Sequence, residues 1–472
     1  MWFRTLVLVL VGIVVFLSCS NNSTEHSADG ESVIHEADNF EKGKVLTRTV
    51  CKADTTQSYA LYLPANYSSK EKYPVIYAFD PHASGLEPVS RYERLAEKYN
   101  YIIVGSNNSK NGTSWEESQM IAGKLFADVS TRLSIDLQRV YLIGFSGGAR
   151  VANTLTIFNG GINSVICCGA ASPVATITNP RNNYCYLGIA GNEDFNYIEM
   201  KRYDMVGLAG HNVKHSLITF NGKHEWPDQS IMDEGFWWFE LNEMRKDSSK
   251  KDSKRIEEHT SPLMKELETY YTNKNTIEAY FLSRKIINFY DGLIDLTRCY
   301  EILKTVQNSK EVDAFLNAEQ QAWKDEERLK QEYVNAIQTK DLKWWKQDIA
   351  ALNQKIKTGK DKEKVLVYKR VRSFLSLVAY MQTSNALNQR VYDAAEHFSE
   401  VYVLVDPDNS ESHYLKASVA AIKGDVKEAN VSLQKAINSG FTDGARLQGD
   451  AVFNTFKNTA EFNELLKKIP AK

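Results

Sequence analysis

Five short runs are apolar almost throughout: YPVIYAFD (73–80), YIIVGSNN (101–108), RVYLIGF (139–145), SVICCGA (164–170) and YCYLGIAG (184–191). Continuous apolarity over five to eight residues marks strands buried on both faces, as in a parallel sheet. Segments of helical period lie between them: EPVSRYERLAEKY, SWEESQMIAGKLFADVSTRL and GARVANTLTIF. Before them TRTVCKAD and QSYALYLP read as strands by their aromatic and β-branched content. After them come a strand, HSLITFNG, and a helix, DQSIMDEGFWWFELNEM. Strands alternating with helices at this spacing specify an α/β fold with a mostly parallel sheet. The assigned range is residues 44–248.

The charged, serine-rich stretch RKDSSKKDSKRIEE then breaks the pattern and reads as a linker near residues 246–256, across which few contacts are expected. Phe236, Trp237 and Trp238 stand in the way of a clean separation, because three adjacent aromatics on one helix cannot all face the sheet. From 257 to 472 the chain reads as all-helical: between Leu263 and Asp406 it has no proline and only Gly292 and Gly359. Near residues 390–441, Ala417, Gly424, Ala429, Leu433 and Ala436 fall where a tetratricopeptide-like repeat wants small or apolar residues. A plain helical hairpin is the other reading of the same stretch.

At the N-terminus Arg4 precedes LVLVLVGIVVFL, a core of signal-peptide length and too short for a membrane span. Ser18 and then Cys19 follow it, so residues 1–18 resemble a bacterial lipoprotein signal, with Cys19 as the lipidation site and 19–43 as a disordered polar tether. An uncleaved anchor and an ordinary secretory signal are the alternatives. The other cysteines, at 51, 167, 168, 185 and 299, show no zinc spacing, so no metal and no cofactor is expected. A formal net charge of −2 without a basic run gives nucleic-acid binding no electrostatic support.

The chemistry is expected at GFSGG, residues 144–148. A serine held among glycines between a buried strand and a helix fits the nucleophile elbow, the sharp turn that pushes a serine hydroxyl out of the sheet. Ser146 needs a histidine base and a carboxylate to orient it, in the chain order Ser, acid, His. Among His211, His215, His224 and His259, His224 is selected because FNGKHEWP places it in a loop directly after the last strand. Asp194, in the turn after YLGIAG, is selected as the acid over Glu193 and Asp204.

With these parts in place, residues 45–245 resemble α/β-hydrolases of the secreted esterase type, related to feruloyl esterases and polyhydroxybutyrate depolymerases. The resemblance implies Ser146 as nucleophile, Asp194 as acid and His224 as base. Where many members carry His-Gly-Gly, this chain has FDPHASG; Pro81 lacks an N–H, so the oxyanion donors are expected to be the backbone N–H of Gly147 and that of His82, with Ala83 as the alternative to His82. The implied protein is a lipid-anchored serine hydrolase of the bacterial cell envelope, acting on a small-molecule or carbohydrate-linked ester and touching the membrane only through its lipid. The alternative from another class is an envelope interaction module, with a protein partner on the helical half and an idle hydrolase scaffold.

Overall fold

The computed structural model describes residues 39–172 and 183–469. Cys19 and the whole signal region lie outside the described residues.

Eight strands form one sheet: β1 (Val45–Val50), β2 (Ser58–Tyr62), β3 (Tyr73–Phe79), β4 (Ile102–Ser106), β5 (Ile135–Phe145), β6 (Ser164–Cys168), β7 (Cys185–Gly191) and β8 (Lys214–Phe220). Their spatial order is β1-β2-β4-β3-β5-β6-β7-β8, and every expected strand is present. β1 and β2 pair antiparallel at one end, and β2 also meets β4 antiparallel. From β4 onward all pairings are parallel. This is the α/β-hydrolase sheet, with the C-terminal ends of β3 to β8 along one edge.

Successive side chains of a strand face opposite ways, and the sheet is buried on both sides. Tyr77, Phe79, Leu142 and Val165 pack under α2 (Trp115–Arg132) and α3 (Gly147–Phe158), whereas Ile76, Ala78, Tyr141, Ile143 and Ile166 pack under α1 (Leu86–Tyr99) and α5 (Gln229–Lys246). Between β7 and β8 the chain forms α4 (Tyr197–Arg202), continued by a π-helical turn at Tyr203–Gly207. That helix is too short to leave a periodic signal in the sequence.

The remainder is helical: α6 (Ser253–Thr272), α7 (Thr276–Tyr290), α8 (Thr297–Val306), α9 (Lys310–Thr339), α10 (Leu342–Thr358), α11 (Lys362–Asn388), α12 (Tyr392–Val405), α13 (Ser410–Ile422), α14 (Val426–Asn438), α15 (Gly444–Gly449) and α16 (Ala460–Lys467). Ala417, Ala429, Leu433 and Ala436 are all fully buried, and Gly424 makes the left-handed turn between α13 and α14. Small residues let these two helices approach closely.

The stretch 246–256 is not a contact-free linker. The apolar core of the α1/α5 face runs on into α6, α7 and α8 through Ile256, Leu267, Ile286, Phe289 and Ile302, while the C-terminal part of α9 and α10 to α16 enclose a separate core. The adjacent aromatics of α5 explain the difference. Phe236 faces Tyr99 and Tyr101, but Trp237 stacks on His259 at 4.1 Å and donates to Tyr290 Oη at 3.1 Å, and Trp238 meets Phe289 at 5.0 Å. Charge and serine keep residues 246–255 at the surface, yet the helix before them buries its rings against the helices after them.

Candidate active site

β5 ends at Phe145 and α3 begins at Gly147, so Ser146 alone makes the turn. Its φ of 52° and ψ of −121° lie in a region that a residue with a Cβ rarely adopts. Surrounding contacts hold it there. A Cβ on Gly144 would sit 2.4 Å from the Gly148 carbonyl oxygen, and one on Gly148 would sit 2.0 Å from that of Phe79. Strand, helix and neighbouring strand thus touch backbone to backbone, and the serine hydroxyl projects from the sheet edge.

His224, in the loop after β8, reaches it: Nε2 lies 2.9 Å from Ser146 Oγ. The other ring nitrogen, Nδ1, lies 2.9 Å from each carboxylate oxygen of Asp194. The imidazole is held between the rings of Phe145 and Phe195, at 4.7 and 4.2 Å. Asp194 is buried, and Asn196 N–H donates to its Oδ1 at 2.7 Å. Burial pushes the Asp194 carboxyl above the ordinary carboxylate range, against the opposing pull of its hydrogen bond with His224 and of the Lys330 charge. The acid and base loops are joined to each other through Glu193 N–H donating to the Gly222 carbonyl and Asn192 N–H to that of Phe220.

The other residues weighed from the sequence go elsewhere. His211 and His215 precede or open β8, at the far end of the strand from the site, and His215 pairs with Asp204 at 2.8 Å. His259 sits on α6 against Trp237, and Glu193 turns outward to Lys369.

The oxyanion expectation needs one correction. His82 N–H does not face the serine as a free donor: it donates to Asp80 Oδ1 at 2.8 Å. Asp80 is itself buried, and its Oδ2 accepts from Trp226 Nε1 at 2.9 Å. The carboxylate that starts the turn after β3 therefore captures the amide two residues on. Gly147 N–H opens α3, where the first amides have no partner within the helix. Against Gly147 lies a side chain that the sequence did not single out, Asn111: its Oδ1 is 1.7 Å from where a Gly147 Cβ would stand. Gly169 was missed in the same way. It has φ +66°, and a Cβ there would come within 3.0 Å of Asp194 Oδ2 and 3.1 Å of His224 Nδ1.

Among the described residues no group of three metal-binding side chains occurs, and no helix is long and apolar enough to cross a membrane. No protein-family model matches the chain, and no curated protein matches it. Solved structures similar to it include an S-formylglutathione hydrolase from Agrobacterium tumefaciens (14% identity over 41% of this chain and 93% of that one, TM-score 0.35). A ferulic acid esterase is 16% identical over 41% of this chain and 95% of its own, with a TM-score of 0.33. Esterase B from Lactobacillus rhamnosis is 14% identical over 45% and 91%, with a TM-score of 0.37.

Proposed function

We propose that the protein is a serine hydrolase that cleaves carboxylic esters through Ser146, His224 and Asp194. The observation that carries this reading is the continuous chain of contacts from Oγ through the imidazole to the carboxylate, set on a serine with positive φ. Serine hydroxyl is a weak nucleophile at neutral pH, and it becomes effective when a neighbouring base takes its proton as it attacks. His224 Nε2 is placed to do that and to return the proton to the departing alcohol. Asp194 fixes the ring with Nδ1–H facing the carboxylate and stabilises the imidazolium formed in each half-reaction. The acyl group rests on Ser146 Oγ until water, activated by the same Nε2, releases it.

Gly147 N–H is the oxyanion donor in this proposal. Carbohydrate-linked acyl esters are the first substrate class to test. With Cys19 acylated, the enzyme would be held at the cell envelope by its lipid. The experiment is hydrolysis of a panel of chromogenic esters by the full chain and by Ser146→Ala. Turnover that survives in Ser146→Ala contradicts the proposal; turnover lost with the fold intact supports it.

A further inference from the structure

The loop that carries Asp194 leaves β7 with Asn192 and enters α4 at Tyr197. On one side it is joined to the base loop; on the other it meets α9 and α11 of the helical half. Each residue flanking the acid is held there. Arg370 Nη1 donates to the Asn192 carbonyl at 3.0 Å, Lys369 Nζ reaches Glu193 Oε1 at 2.6 Å, and Lys330 Nζ donates to the Phe195 carbonyl at 2.8 Å.

The cations are themselves fixed. The Arg370 side chain is fully buried; its Nε donates to Glu326 Oε2 at 2.6 Å, its Nη2 to Glu363 Oε1 at 3.3 Å, and its plane lies over the Tyr197 ring at 4.8 Å. Glu326, equally buried, pairs through its other oxygen with the Lys330 ammonium at 2.7 Å. Immediately after the loop, Lys201 pairs with Glu319 at 3.0 Å, and Arg202 pairs with Glu327, so α4 is tied to α9 as well.

A buried guanidinium and carboxylate are costly to desolvate, and a well-packed apolar pair would stabilise a helix interface at least as well. What the ionic pair supplies is donors aimed at particular carbonyls. Two of the three cations spend a donor on main-chain oxygens within two residues of Asp194.

We propose that Arg370, Lys330 and Lys369 are positioning residues for the acid of the triad, so that the helical half completes the catalytic geometry of the hydrolase half. This rests on the Ser146–His224–Asp194 reading. A carboxylate that must meet Nδ1 within hydrogen-bond reach tolerates little drift, and a displacement on the order of 1 Å can cost about a hundred-fold in rate.

The test is steady-state hydrolysis of p-nitrophenyl acetate by the full chain carrying Lys330→Met, Lys330→Arg or Lys369→Met, with the far-downfield proton resonance of the His224–Asp194 hydrogen bond recorded on each. Lys330 and Lys369 are the residues to change because they are partly exposed, whereas truncating Arg370 would leave Glu326 buried and unpaired. The expected result is a ten- to hundred-fold fall in kcat for Lys330→Met with KM steady, a shifted or lost downfield resonance, and substantial recovery in Lys330→Arg. Lys369→Met is expected to change in the same direction by less, because it holds a side chain and not the main chain. Unchanged kcat and resonance in both methionine variants would overturn the proposal, as would a change confined to KM. Failure of the underlying reading looks different: the wild-type resonance would be missing, or Ser146→Ala would still turn over.

Discussion

Phe289→Ala should lower the stability of the Ser146–His224–Asp194 site, although Phe289 belongs to the helical half. Phe289 on α7 is 3% exposed, and its ring meets Trp238 of α5 edge to face at 5.0 Å. Removing a buried phenyl ring costs about 4 kcal/mol, combining lost transfer energy and the cavity left behind. If the sheet and α6 to α8 unfold together, roughly 260 residues at about 2.1 cal/mol/K each give an unfolding entropy of about 0.5 kcal/mol/K. The midpoint then falls by about 7 °C. Two readouts on one heating ramp decide the matter: loss of ester turnover, which reports the triad, and loss of near-ultraviolet circular dichroism, which reports the packed tryptophans. Both are expected to drop by the same interval. If the activity midpoint stays at the wild-type temperature while the tryptophan signal falls early, α6 to α8 are a separate unit and the shared core is wrong.

Two further outcomes follow from the site. Gly148→Ala would drive a Cβ to 2.0 Å from the Phe79 carbonyl oxygen, so the elbow must open; a loss of about 3 kcal/mol or more in urea unfolding is expected, with turnover falling even where the protein stays folded. Asp80 is pushed up by burial but held below its ordinary value of 3.8 on balance by hydrogen bonds from His82 and Trp226. A depressed carboxylate contributes stability that is present above the unfolded value and is lost as pH falls through the folded one. The gap in urea stability between wild type and Asp80→Asn should therefore be full at neutral pH and shrink on acidification below 3.8; a gap independent of pH would show that the charge of Asp80 is not what holds the turn after β3.

The legible and illegible parts of this chain divide along physical lines. Five strands, β3 to β7, carry stretches buried on both faces and so leave unbroken apolar runs, while β1 and β2 show in their aromatic and β-branched content. Ser146 was legible because close backbone approach demands glycine at 144 and 148, and His224 because its loop follows the last strand directly. His82 was misassigned because a sequence does not show that the Asp80 carboxylate folds back onto the amide two residues later. The boundary near 246–256 was misread for a related reason: its composition describes a solvated surface, while the coupling across it runs through Trp237 and Trp238 upstream. Arg370 was invisible. An arginine among lysines on a helix reads as a solvated charge, and only the fold reveals that it is fully buried beside the acid loop.

The measurement that bears most directly on the central claim is the site of covalent capture. The full chain would be treated with a fluorophosphonate, digested and mapped by mass spectrometry, beside His224→Ala and Asp194→Ala treated identically. One adduct is expected, on Ser146, forming far more slowly in both variants because the triad members act as a unit. An adduct on any other residue, or labelling of Ser146 at the wild-type rate when His224 is alanine, would contradict the account.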